Sequence, residues 1–568
     1  MLHTLIVGAF LIAPQPQASF AAGRSVSPHA FSPQVTLETS PLSFTSPWSG
    51  MQLGSKVTLL PAEGASGVDL NLDGDRSDTV AYSYDLATSQ GATLGMWSTF
   101  QDIGLTSYRL GTSGEVWLVP ENGGPAGDEN EDGDVSDRIL YALKDGVARS
   151  SGLPALGIAW DDSVALSVSE WRNGNVDLNG DGRISEVLFL WDLASGLPPQ
   201  NSGIEIYELV AAGGDHVMAT LNENITMVDE NGDGDTSDSV LLVVHAPTGS
   251  VHPARLCGFE AQMSGSHGQF LVSETSQGAD LNGDGDLDDA LPFVFDGDTG
   301  LLSNLGLAAS LNFLFAPFGG HVTAPTLEQG VFAFSASEFA HGGIDLNGDG
   351  DALDDVLHVY FPETGELRNL GLATWSFAFD REHLVFQASE TGQGVDLDGS
   401  GAVEDYVWQV HELLGNSTWN TRLTLEAPWF TQRLFNVSTL HAREVAVVIG
   451  SPAAQELVVL DARARRVTKT GLRVRSAGFV ESGLLIAQVS EPASGRDLSG
   501  DGDALDAVLH FVLPGLGHIL NTGASVDFVA AAFRNTVGFF VFEQAEGRDL
   551  NGDGDVRDSL FRTARLSL

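Results

Sequence analysis

The sequence predicts an all-β chain folded as a β-propeller of about ten four-stranded blades, with two tandem five-bladed propellers as the alternative arrangement. Three observations predict it. A unit of about 50 residues recurs along the chain. Within each unit, short apolar segments alternate with period two between glycine-rich turns, and no helical period of useful length is present. The two ends of the chain carry complementary parts of one unit, as a closed ring without exposed sheet edges requires. Four short antiparallel strands in a unit of this size are the signature of a propeller blade.

Taken in chain order, the first element is the apolar run Leu5–Ala13 within "MLHTLIVGAFLIAPQPQASFAAG". It is too short to span a bilayer and suits the core of a secretory signal, with small residues at Ser19 and Ala21 for cleavage after Ala21. Only His3, with no Lys or Arg, precedes the run. Residues 1–21 are thus read as a signal peptide, residues 22–46 as a Ser/Pro-rich linker and residues 47–568 as the repeat domain. The expected location is secreted or cell-surface.

Each unit then follows one script. An alternating apolar segment ends in Glu, as in "VFAFSASE" to Glu338, "HLVFQASE" to Glu390 and "LLIAQVSE" to Glu491. An acidic loop follows. A second segment, such as "DVLHVYFPETG" or "ALPFVFDGDTG", closes in a turn, and "ELRNLGLA" or "LLSNLGLA" begins a third. The acidic loops start at Asp69, Asp128, Asp177, Asp229, Asp280, Asp345, Asp396, Asp497 and Asp549. The gap of 101 residues between Asp396 and Asp497 is about twice the others and hides a tenth unit, "EVAVVIGSPAAQELVVLDARARRVTKTGL", in which "GSPAAQ" replaces the acidic loop. At the ends, "DSLFRTARLSL" and "SPWSGMQLGSKVTLLPAE" are the parts expected to complete one shared blade.

Composition narrows the function classes. A net charge of −49 argues against nucleic acid and against anionic membrane surfaces, and favours solubility and cation binding. The lone Cys257 excludes an intramolecular disulfide and reads as a small buried apolar residue.

The acidic loop is the most specific pattern. Numbered from its first Asp, position 1 is Asp in all nine copies, position 3 is Asn in seven, position 5 is Asp in all but one and position 6 is always Gly. Position 7 is Asp except for Arg183 and Ala402, and position 10 is Asp, or Glu186 in the third copy. Oxygen side chains at 1, 3 and 5 with Gly at 6 match the first half of an EF-hand calcium loop, where alternate side chains converge on one hard cation and glycine permits the bend. Position 12 is apolar where an EF-hand has a bidentate Glu (Val80, Val240, Leu291), so the acid at 10 is the expected late ligand. Crowded like charges are then relieved by a divalent cation among them.

The candidate ligands in the first three loops are Asp69, Asn71, Asp73, Asp75 and Asp78; Asp128, Asn130, Asp132, Asp134 and Asp137; and Asp177, Asn179, Asp181 and Glu186. In the middle three they are Asp229, Asn231, Asp233, Asp235 and Asp238; Asp280, Asn282, Asp284, Asp286 and Asp289; and Asp345, Asn347, Asp349, Asp351 and Asp354. In the last three they are Asp396, Asp398, Ser400 and Asp405; Asp497, Ser499, Asp501, Asp503 and Asp506; and Asp549, Asn551, Asp553, Asp555 and Asp558. The copies with Arg183 and with Ser400 and Ala402 are expected to be the weakest. The Glu that ends the preceding strand is either a further ligand or an acceptor for loop N–H groups.

The strand, hairpin, strand, D-x-x-T-G, strand rhythm resembles TolB-like propeller blades over nearly all of residues 47–568. The loops resemble the calcium hairpins of FG-GAP blades in integrin-type propellers, and dockerin and thrombospondin type 3 loops, which share a D-x-[DN]-x-D-G core. That resemblance implies one Ca²⁺ per loop, up to nine in all. No catalytic motif stands out: there is no G-x-S-x-G, H-E-x-x-H or phosphate loop, and His358 and His510 fall at equivalent strand positions where packing explains them. The favoured reading is a non-enzymatic calcium-binding propeller acting as a binding, adhesion or scaffold module for a protein or glycan. The alternative is a secreted propeller enzyme, a glycan hydrolase or lyase with its site at the central channel.

Overall fold

The computed structural model describes residues 33–44, 50–53, 55–72, 74–97, 109–110, 114–121, 127–144, 147–310, 331–379, 382–425, 437–438, 440–441, 444–451, 454–480 and 483–567. The signal-peptide stretch 1–21 and candidate ligand Asp73 lie outside these residues. The fold is an all-β propeller. Its simplest unit is four antiparallel strands, Glu208–Gly213, His216–Asn222, Ser239–His245 and Ser250–Pro253, hydrogen-bonded in chain order. The next, Gly258–Ser264, His267–Ser273, Ala290–Asp296 and Leu301–Asn304, repeats it. In both, the acidic loop joins the second strand to the third.

Among the described residues the strands form seven sheets, of four, six, seven or eight strands. This corrects both expected arrangements, ten four-stranded blades and two tandem five-bladed rings. The reason is that three long strands, Val147–Trp160, Glu366–Phe379 and Arg466–Val480, each belong to two ladders. The first half of Val147–Trp160 pairs backwards with Arg138–Lys144 (Lys144↔Val147, Ile139↔Pro154), and its second half pairs forwards with Ser163–Ser169 (Val168↔Ala155, Ser163↔Trp160). The backbone stays extended through the link between units, so hydrogen bonding runs on where the repeat boundary falls.

The chain ends do share a sheet, by a different route from the one expected. Gln34–Phe44, inside the stretch that composition marks as a linker, pairs with the C-terminal strand Ser559–Ser567 from Gln34↔Ser567 to Phe44↔Ser559. It is the outermost strand of the sheet that also holds Thr536–Phe542 and Phe528–Phe533. Gly50–Leu53 and Lys56–Leu59 instead begin the following sheet. The Gln52 amide ties the two sheets: its Nε2 donates to the Ala532 carbonyl at 2.6 Å and its Oε1 accepts from the Ala532 N–H at 2.7 Å.

The core lies between neighbouring sheets, because each strand turns apolar side chains to both faces. Leu42, Val57, Leu59 and Tyr84 pack with Phe540 and Phe561 across the closure. Ile486, Leu509 and Phe511 pack with Val529, Val537 and Phe539 across the preceding junction. His358 and His510 are buried at equivalent places, their Nδ1 atoms against the carbonyls of Val356 and Val508, and burial pushes His358 down to about 4. They are packing residues, as their recurrence suggested. No helix among the described residues is long and apolar enough to cross a membrane.

Candidate metal centre

The site repeats at one station of the fold. The second strand of a unit ends in Glu, which among the described residues opens a single helical turn in five units: Glu63–Ser66, Glu223–Thr226, Glu274–Gln277, Glu491–Ser494 and Glu543–Glu546. Ser273 caps one such turn by accepting from the Ser276 N–H. A left-handed residue ends it, and the acidic loop follows.

The loop that begins at Asp280 shows how the motif folds. Asp280 accepts two backbone N–H groups, from Gly283 on Oδ1 at 2.6 Å and from Gly285 on Oδ2 at 3.1 Å. Asn282 Oδ1 accepts from the Asp284 N–H, Asp284 Oδ1 from the Asp286 N–H and Asp286 Oδ1 from the Asp288 N–H. This is a run of local side-chain-to-backbone turns of the kind Asp and Asn favour. Gly285 has φ +106°, a conformation side chains rarely adopt, which is why position 6 is always glycine. Position 1 takes the same double acceptor role at Asp69, Asp128, Asp177, Asp229, Asp345, Asp396, Asp497 and Asp549.

The residues brought together are the later ones. Single oxygens of Glu63, Asp75 and Asp78 lie within 4.8 Å of one another, as do those of Glu274, Asp286 and Asp289, and of Glu338, Asp351 and Asp354. In two further loops the groups are Asp132, Asp134 and Asp137, and Asp233, Asp235 and Asp238. Positions 7 and 10 recur in all five, joined by position 5 or the strand-end Glu; the position 1 acids are in none of these five. The Asn at position 3 buttresses the group, its Nδ2 donating to the position 10 carboxylate at Asp78, Asp289, Asp354 and Asp558.

Electrostatics follow the crowding. Burial, reinforced by the negative charges of Asp284, Glu274 and Asp286, pushes Asp289 up to about 7. Burial with Asp349, Glu338 and Asp351 raises Asp354 to about 6, and Asp137, Asp238, Asp506 and Asp558 shift the same way, burial first. At position 7 the hydroxyl and N–H of Ser77, Ser136 and Ser237 hold Asp75, Asp134 and Asp235 below the usual carboxylate range. A cluster that resists its own third negative charge is one that a cation would stabilise.

The strand-end Glu is plainly a loop acceptor. Oε1 of Glu274 accepts from the N–H groups of Leu281 and Asn282, and the same pair of bonds recurs at Glu63, Glu121, Glu223, Glu338, Glu390, Glu491 and Glu543. Two loops differ as their sequences suggest. Arg183 turns back onto Asp181 at 2.6 Å and also pairs with Glu205, bringing a positive charge into the third loop, where Glu186 is raised by burial. In the seventh, Ser400 accepts from the Ala402 N–H through its hydroxyl, so no carboxylate stands at position 5.

Sequence reasoning missed the partners from neighbouring units, which carry no local signal. Asn130, Asn231 and Asn347 donate to the carbonyls of Arg172, Ser276 and Gly392 in the next unit, and Ser43 donates to Asp558 at 2.9 Å. Cys257 is buried beside Asn231, and burial pushes its thiol up to about 12. The contact is tight at Gly278, φ +62°, where a Cβ would sit 3.0 Å from the Cβ of Asp233. Gly278→Ala is therefore expected to destabilise the protein by about 2 kcal/mol or more, against about 1 kcal/mol of backbone strain alone for Gly300→Ala. The Gly300 position, φ +74°, has nothing within 4 Å of the added carbon. Thermal melts of the two variants check this.

At the opposite strand ends a cleft of about 460 Å³ opens between the Glu412–Ser417 turn and Ala462–Arg465, lined also by Glu382, His383 and Trp419.

No family model matches the sequence, and no curated relative matches it. Among solved structures, the chain is similar to the β-propeller domain of the Trilobed protease from Pyrococcus furiosus, at 8% identity and TM-score 0.25, covering 64% of this chain and 96% of that one. It is similar to the putative TolB from Agrobacterium tumefaciens at 7% identity and TM-score 0.24, covering 61% and 88%. It is also similar to the tricorn protease at 8% identity and TM-score 0.22; that match covers 89% of this chain but only 47% of the tricorn chain.

Proposed function

We propose that this chain is a calcium-binding β-propeller that works outside the cytoplasm as a binding, adhesion or scaffold module for a protein or glycan, with calcium stabilising its fold. The observation that supports this reading most is the recurrence of one acidic cluster at one station of successive units, three oxygens within 4.8 Å. The donors are all oxygen, which suits a hard cation such as calcium. Acids at positions 5, 7 and 10 would hold the ion, while positions 1 and 3 order the loop around it. A net charge of −49 keeps nucleic acid and anionic membranes off the list of partners. The cleft beside Trp419, with acids and arginines together, is a concave surface that suits a polar partner.

Elemental analysis of the purified chain, dialysed against millimolar calcium, tests the proposal. Close to nine calcium ions per chain is the expected result, with loops three and seven the first to empty on dilution. Fewer than two ions would overturn it and leave the loops as hydrogen-bonded turns.

A further inference from the structure

We propose that Glu63, Glu121, Glu223, Glu274 and Glu543 are cation ligands as well as loop acceptors, one oxygen folding the loop and the other completing the ion's coordination. This rests on the calcium reading above and extends it to residues outside the D-x-N-x-D-G core.

The five side chains are buried, at 0–3% exposure. In each, Oε1 takes the N–H groups at positions 2 and 3 of the loop. In each, Oε2 is also buried and has no hydrogen-bond partner among the described residues. A carboxylate oxygen of Glu63 and of Glu274 falls within 4.8 Å of the acids at positions 7 and 10. A buried carboxylate oxygen facing other acids, with no donor, is unfavourable unless a cation joins them.

In the other four copies the second oxygen has a backbone donor, although an oxygen of Glu338 also lies within 4.8 Å of Asp351 and Asp354. Oε2 of Glu338, Glu390 and Glu491 accepts the N–H of position 10 (Asp354, Asp405, Asp506), and that of Glu170 accepts the N–H of Ser185. There the backbone supplies the donor. The five unpartnered glutamates have the same fold around them and lack that donor, so their second oxygen is the one available to an ion.

The test is the full chain carrying Glu223→Gln, Glu274→Gln and Glu543→Gln. Glutamine keeps an oxygen for the two loop N–H groups and replaces the second oxygen with an NH₂. Calcium binding is measured by equilibrium dialysis, and melting in calcium and in EGTA. Three sites are expected to bind at least tenfold more weakly, with the EGTA melt no lower than that of the parent chain. Binding of all nine ions with unchanged affinity would overturn the proposal. So would an equal drop in both melts, which marks a role in loop geometry alone. A parent chain that binds no calcium would instead overturn the reading beneath it. If the triple variant does not fold, Glu274→Gln alone decides, by the loss or retention of one ion.

Discussion

Moving the protein from millimolar calcium into EGTA is expected to lower its melting midpoint by about 10 °C. With free calcium about ten times above the dissociation constant of a site, each filled site contributes ~1.4 kcal/mol. Nine sites together reach on the order of 10 kcal/mol, comparable with the whole stability of an ordinary domain. Unfolding entropy of ~2.1 cal/mol/K per residue over roughly 500 residues converts that into about 10 °C. The physical source is the crowding of the acids, where Asp289 is pushed up to about 7 by burial and by Asp284, Glu274 and Asp286. Calorimetry in the two buffers, with magnesium as a control, checks the expectation. A midpoint that moves by no more than a degree would mean that the internal hydrogen bonds of the loops suffice.

Deleting residues 1–44 is expected to be worse, because it opens the ring. Gln34–Phe44 runs along Ser559–Ser567, paired from Gln34↔Ser567 to Thr39↔Arg562 and, past an irregularity, at Ser43↔Leu560 and Phe44↔Ser559. Without it, Phe561 loses Leu42 as a packing partner, and Asp558 and Asn551 lose the Ser43 hydroxyl. Backbone hydrogen bonds worth about 1 kcal/mol each, the buried Leu42 worth ~2 kcal/mol and the half-buried Val35 and Leu37 worth ~1 kcal/mol each add up to on the order of 10 kcal/mol. The exposed edge of Ser559–Ser567 is also a template for association between chains. The truncated chain is expected to lose its cooperative melt and to elute as oligomers in size-exclusion chromatography, and a synthetic peptide spanning residues 33–44 is expected to restore part of the melt. A truncated chain that melts within a few degrees of the parent as a monomer would show that closure is dispensable.

The features legible in the sequence are those whose causes lie within about ten residues. Period-two alternation announces strands such as Ser239–His245 because a pleated ladder turns successive side chains to opposite faces. The acidic loop is equally local: Asp280 reaches the N–H groups of Gly283 and Gly285, three and five residues on, and Gly285 sits where other residues are strained. The Glu ahead of each loop was visible as a recurring letter, and the choice between ligand and acceptor was not. Its two oxygens face different neighbours, and only the folded hairpin says which N–H reaches the second one, as Asp506 does for Glu491 and nothing described does for Glu274.

The rest was decided by the tertiary structure, because it depends on contacts between residues far apart in the chain. Whether Val147–Trp160 ends one sheet or carries hydrogen bonding into the next depends on where Ser163–Ser169 lies, so a repeat count could not give the seven sheets found among the described residues. Composition marked the stretch containing Gln34–Phe44 as linker, since its own few apolar residues build no core. It becomes a strand because Ser559–Ser567, more than 500 residues away, offers an unpaired edge. The sequence by itself determined the strands, the turns and the chemistry of the loops, which rest on local dihedral and hydrogen-bond preferences. The tertiary structure decided which strands share a sheet, what closes the ring and which carboxylate oxygens are left facing one another, since each of these is a property of juxtaposition across the chain.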